Sequence, residues 1–163
     1  MSKYAWLVIG LGIIIIAGAL YLANTETAVA PSAAGLPIID PSQQGQPTYE
    51  NTSPDEIVVT LPFPGAVTGK DFSVRGKARG NWFFEASFPV FLIDKDGNQL
   101  AVGLASPEPA GAEWMTSEFV EFKADLVVPA HFIGPALLII QNDNASGLPE
   151  NQKSVSFPIN IEY

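Results

Sequence analysis

Apolar and polar positions divide this chain into three regions. From Tyr4 to Ala23 the residues are apolar and uncharged, with Lys3 just before them and Glu26 the first charge after. A helix rising 1.5 Å per residue needs about 20 such residues to cross a hydrocarbon core about 30 Å thick. Residues 4–23 therefore predict a transmembrane helix, with Trp6 and Tyr21 near the two headgroup regions. The next cation after Lys3 is Lys70, so the positive-inside tendency keeps the short N-terminus in the cytoplasm and exports the rest. A secretory signal is the competing reading. Its apolar core would be about 7–15 residues, and Ala28-Val29-Ala30 offers a small-residue cleavage site. The longer core here favours a retained anchor, and cleavage would instead give a secreted product.

Residues 24–54 form the second region. Pro31, Pro37, Pro41, Pro47 and Pro54 punctuate a stretch rich in Ala, Ser, Thr, Gln and Gly, without Lys or Arg. Such a segment buries too little apolar area to offset its ordering entropy, and it reads as a disordered linker. Fully extended as polyproline it would span about 95 Å, and as a flexible coil about 30 Å. Leu36-Pro37-Ile38-Ile39 is a small apolar island within it.

From Asp55 onward the period becomes two, the spacing of a strand with one buried face. Ile57, Val59 and Leu61 alternate in the first strand. Phe72, Val74, Gly76 and Ala78 point one way in the second, with Ser73, Arg75, Lys77 and Arg79 opposite. A third strand is expected from about Phe84 to Asp94 and a fourth from about Gln99 to Ala105. Asp96-Gly97 between them predicts a tight hairpin, whose type I′ turn needs positive φ at both central residues. Val120, Phe122, Ala124 and Leu126 define the fifth strand, and Ala136–Ile140 reads as a central strand covered on both faces. The last strand carries Val155, Phe157, Ile159, Ile161 and Pro158. Because proline lacks a donor, that strand should lie at an edge or be bulged there. Seven short strands over about 110 residues predict an all-β fold, an immunoglobulin-like Greek-key β-sandwich spanning 55–163.

Composition narrows the chemistry. All 17 acidic residues and seven of the eight cations follow the apolar segment, a balance of −10. That argues against nucleic acid and anionic headgroups as partners, since both need a basic footprint. With no cysteine, the domain has no disulfide staples, no lipid-modified cysteine, no thiolate catalysis and no Cys-based metal site. His131 is the one histidine, and no Gly-x-Ser-x-Gly elbow or phosphate-binding glycine loop occurs. Asp94-Lys95-Asp96-Gly97-Asn98 hints at calcium, but the twelfth position of an EF-hand loop, a bidentate Glu, would be Ala105. No cofactor or metal is expected, and no enzyme.

Three segments carry a family resemblance. They are Gly80-Asn81-Trp82-Phe83-Phe84-Glu85-Ala86-Ser87-Phe88-Pro89-Val90, then Glu113-Trp114-Met115-Thr116, then Asp143-Asn144-Ala145-Ser146-Gly147-Leu148-Pro149-Glu150. In this order and spacing they resemble the bacterial spore germination immunoglobulin-like domain family, over about Asp55 to Tyr163. The resemblance implies an extracytoplasmic module, often attached to a lipoprotein or membrane anchor. The family's Asn-Pro-Ser-Gly pattern stands here as Asn144-Ala145-Ser146-Gly147, which makes the loop less rigid.

The same segments hold the candidate partner-binding residues. Strand alternation through Trp82-Phe83-Phe84 would send Trp82 and Phe84 into the core with Ala86 and Phe88, leaving Phe83 outside. Packing is nonetheless the ordinary fate of such large rings. Trp114 and Met115 lie in a long loop, where they read as a plug over the end of the fold or as an exposed apolar anchor. Asn144, Ser146 and Leu148 occupy a polar loop whose side chains would first satisfy their own backbone. Asn144-Ala145-Ser146 also fits a glycosylation triplet. Arg75, Lys77 and Arg79 form a basic stripe, better explained by cross-strand pairing than by anion binding. The expected function is a membrane-anchored interaction module at the bacterial cell envelope, with an envelope protein as partner. The alternative is binding of cell-wall glycan on Trp82, Phe83 and Trp114.

Overall fold

The computed structural model describes residues 45–163; the predicted transmembrane helix, the cleavage site and most of the predicted linker lie outside the described residues. Nine strands follow in chain order: β1 (Thr48–Glu50), β2 (Ile57–Leu61), β3 (Val67–Thr68), β4 (Asp71–Arg79), β5 (Phe88–Ile93), β6 (Gln99–Pro107), β7 (Phe119–Val127), β8 (Gly134–Gln141) and β9 (Ser154–Ile161). Helical geometry among the described residues is confined to 3-10 turns at Gly80–Trp82 and Pro149–Asn151.

The strands form one sheet in the order β1-β9-β8-β5-β6-β7-β4-β2, with β3 added parallel to β9. It curls because β6 serves two neighbours. Its first part pairs with β5 up to Phe88↔Ala105, and its end pairs with β7 at Ser106↔Lys123 and Pro107↔Phe122. The seven expected strands are present, and β1 and β3 are additions. Thr48–Glu50 pairs with Ser154–Ser156, so the predicted linker runs too far: its last residues already belong to the sheet.

Alternation put most of its apolar positions inside, but Leu61, expected to alternate with Ile57 and Val59, lies past a register shift in β2 and is 51% exposed. Val74 and Ala78 from β4, Phe122, Ala124 and Leu126 from β7, and Val90, Leu92, Leu138, Ile140, Phe157 and Ile159 from the other half share one core. Gly76 makes room in it. A Cβ there would stand 2.8 Å from the Phe122 ring, which in turn meets Phe88 edge-on at 5.0 Å. Pro158 sits neither on a free edge nor in a bulge. Its carbonyl accepts from the Gly65 amide at 2.7 Å in the gap between β1 and β3, so its missing donor interrupts no ladder.

The β5–β6 hairpin forms with a longer turn than expected. Gly97 alone has positive φ, at 83°, and a register shift follows Leu92. Both Asp94 carboxylate oxygens are used: Oδ1 accepts from the Asp96 and Asn98 amides at 2.8 Å, and Oδ2 from Asn98 Nδ2 at 2.9 Å. Hydrogen bonds from Asn98 hold this carboxyl below its usual range.

Candidate functional site

The site is built on the turn at Gly80–Trp82. Three residues of 3-10 geometry turn the backbone about 120° per residue instead of the 180° of a strand. Consecutive rings can then face the same way, and Trp82 and Phe83 are both buried, at 0% and 5% exposure. Glu85 and Ala86 follow with positive φ, 50° and 61°, which delays β5 until Phe88. The expected outward position of Phe83 is therefore corrected. Phe84 is the exposed ring of the three, at 46%. Phe83 packs edge-on against Phe88 at 4.9 Å and lies 6.4 Å from the Trp114 ring; Trp82 meets Phe88 at 5.9 Å. The indole Nε1–H of Trp82 is buried without an acceptor among the described residues.

The Glu113–Ser117 loop is fastened onto this turn. A Cβ on Gly80 would stand 2.3 Å from the Trp114 carbonyl and 2.1 Å from that of Thr116, so only glycine permits the approach. Arg79 adds a clamp, with Nε donating to the Asp55 carbonyl at 3.0 Å and Nη1 to the Ser117 carbonyl at 2.9 Å. Trp114 is half-buried against the core, the plug of the two readings. Its neighbour Met115 is 74% exposed. Between this loop and Ala86 lies an open groove of about 360 Å³, lined mainly by Pro107, Ala110, Ala112, Trp114 and Met115.

The Asp143–Glu150 loop joins the same end, since the Asp143 amide donates to the Trp82 carbonyl at 3.1 Å. Its polar side chains are spent on the loop itself. Asn144 Nδ2 donates to the Leu148 carbonyl at 2.8 Å, and Ser146 Oγ to Asn144 Oδ1 at 2.5 Å. Asn151 Nδ2 donates to Ser146 Oγ at 3.0 Å. Asn144 and Ser146 thus hold the turn, while Leu148 is left half-exposed. Lys153 closes the base of this loop on Glu56 with contacts of 2.7 and 2.9 Å. Burial pushes the Glu56 carboxyl up, but Lys153, Thr52 and Asn81 outweigh it and leave the group below its usual value.

Charge at this end is negative. Glu85, Glu113, Asp143 and Glu150 are carried there on the three loops, while Arg79 and Lys153 are engaged as above. The basic stripe is likewise paired. Arg75 bonds Glu108, and Lys77 and Arg79 lie over the Phe119 ring at 4.7 and 4.2 Å. On the same outer face Asp125 accepts from Lys123 and Ser73, which hold its carboxyl below the usual range.

The structure thus brings Phe83, Trp114, Met115 and the Asn144–Leu148 loop to one end, a convergence the separate motif segments did not predict. Phe84 is the exposed residue that strand alternation missed. The signal for it was Gly80-Asn81, turn-forming letters placed directly before the aromatic triplet. A family model described as the immunoglobulin-like domain of bacterial spore germination matches residues 56–147, from the start of β2 to the loop after β8. No curated protein and no solved structure matches the chain. With that match covering more than half of its length, the chain belongs to the family of immunoglobulin-like domains of bacterial spore germination.

Proposed function

We propose that this chain is an extracytoplasmic interaction module of the bacterial cell envelope, held at the membrane by residues 4–23 and binding a partner protein through its Trp82 end. One observation carries the reading. Phe84, Met115 and Leu148 are exposed at that end on loops tied down by Gly80, Arg79, Asn144 and Ser146. Apolar side chains on pre-organised loops bind with little ordering cost. The acidic side chains around them favour a partner with a basic, apolar surface. A Greek-key sandwich of seven strands, with β1 and β3 appended, would supply the rigid scaffold for such loops. The apolar segment ahead of the domain supports the membrane placement.

Glycan binding loses its motivation, because Trp82 and Phe83 are internal and Trp114 leans on Phe83. Replacing Met115 or Phe84 in the full chain by a photo-crosslinking residue tests the proposal in intact cells. Light-dependent adducts with an envelope protein are expected at both positions and not at Lys77. Absence of adducts, or the same adducts from Lys77, would overturn it.

A further inference from the structure

The apolar island Leu36-Pro37-Ile38-Ile39 plays no part in the function proposed above. A second groove, of about 360 Å³, opens where the described chain begins. It is lined mainly by Gly45, Pro64, Pro135, Pro158, Ile159 and Asn160, none of them charged. Its size is that of a small-ligand pocket, about 300–1,000 Å³. Beside it, Leu137 points to the outer side of β8 opposite Pro158, between the inward Ala136 and Leu138. That bulky side chain is 5% exposed although it stands outside the core cluster. Burial so deep on the outer side of a sheet calls for further chain lying over it.

We infer that Ile38 and Ile39, from the segment ahead of β1, dock in this groove. The path of the chain selects them. Upstream of Thr48 the backbone cannot keep following β9, because β3 holds that edge from Asn160 onward. Gly45 bends it off the edge with φ at 123°, a value that favours glycine, and does so at the wall of the groove. Only Asp40–Gln44 separates Ile39 from Gly45, a reach of about 20 Å when extended. A tether that short gives an effective concentration in the mM range, so this segment outcompetes untethered occupants. Charge agrees: residues 24–44 carry acids and no cation, which suits an uncharged groove and not the acidic Trp82 end. Pro135 and Asn160 lie at the opposite end of β8 and β9 from Asp143 and the Trp82 turn. Together with the anchor proposed above, docking shortens the free tether to residues 24–37, at most about 43 Å as polyproline, and turns the Trp82 end away from the bilayer. That orientation rests on the anchor; the docking does not.

The chain has no native cysteine, so paired thiols read the contact directly. Full-length Ile38→Cys/Pro135→Cys is oxidised gently beside Ile38→Cys/Val127→Cys, whose second thiol is also exposed but lies on β7. The first pair should form a thiol-reversible bond at monomer mass at least about fivefold faster. Adding Ile39→Asp should cut that rate at least about fivefold, since a carboxylate resists entry into an apolar groove. Equal rates for the two pairs, no bond at monomer mass, a rate untouched by Ile39→Asp, or a band at twice the mass would overturn the inference. Photo-crosslinking from Met115 or Phe84 reads the partner site separately, so either reading can fail without the other.

Discussion

Trp82, Phe83 and Phe84 show how one local conformation decides which ring is structural. In a strand the middle ring would face away from its neighbours; after a 3-10 turn the first two face inward together. Replacing Phe83 by Ala should therefore cost about 3–5 kcal/mol, as for buried aromatic truncations, and Phe84→Ala within about 0.5 kcal/mol. Urea unfolding of the two full-length variants checks this, and equal losses would refute the assigned burial. Gly80→Ala should cost at least about 1–3 kcal/mol, because the new Cβ collides with the carbonyls of Trp114 and Thr116. Its signature should include faster proteolysis within residues 113–118.

At the scale of elements, legibility followed length and sidedness. β4 and β7 were readable because nine residues alternate between core and a charged face. β1 and β3 were not, having three and two residues; their pairing is dictated by β9, distant in sequence. The start of β5 was misplaced because positive φ at Glu85 and Ala86, residues without glycine's tolerance, leaves no composition cue. The candidate loops were legible as motif segments, but their convergence was not, since it depends on the Gly80 contact and the Asp143–Trp82 hydrogen bond. One interaction between elements gives a pH signature. Glu56 has a depressed folded pKa, so its contribution is fully present above the unfolded value near 4.3 and is lost as pH falls through the lower folded value. The pair with Lys153 has side chains 30% and 21% exposed, and its worth is about 1 kcal/mol or less. Between pH 5 and 3, Glu56→Gln should lose less stability than the unmodified chain, measured by denaturant midpoints. Parallel acid limbs would contradict that role.

For the whole molecule, uneven charge is the organising property. One outer face is charged and internally paired, the other carries no charge over β5, β6 and β8, and the loop end is acidic with exposed apolar tips. Membership of the immunoglobulin-like germination family accounts for the scaffold. The proposed work lies in the loops at one end. That work depends on the domain lying outside the cytoplasm, as the uncharged run of residues 4–23 suggests. Lys95 provides the most direct test, since it sits 73% exposed in the β5–β6 turn, away from the proposed contact surface. In intact cells expressing full-length Lys95→Cys, a membrane-impermeant maleimide should label the chain as fully before lysis as after it. Labelling that requires lysis would place the domain in the cytoplasm and contradict the account.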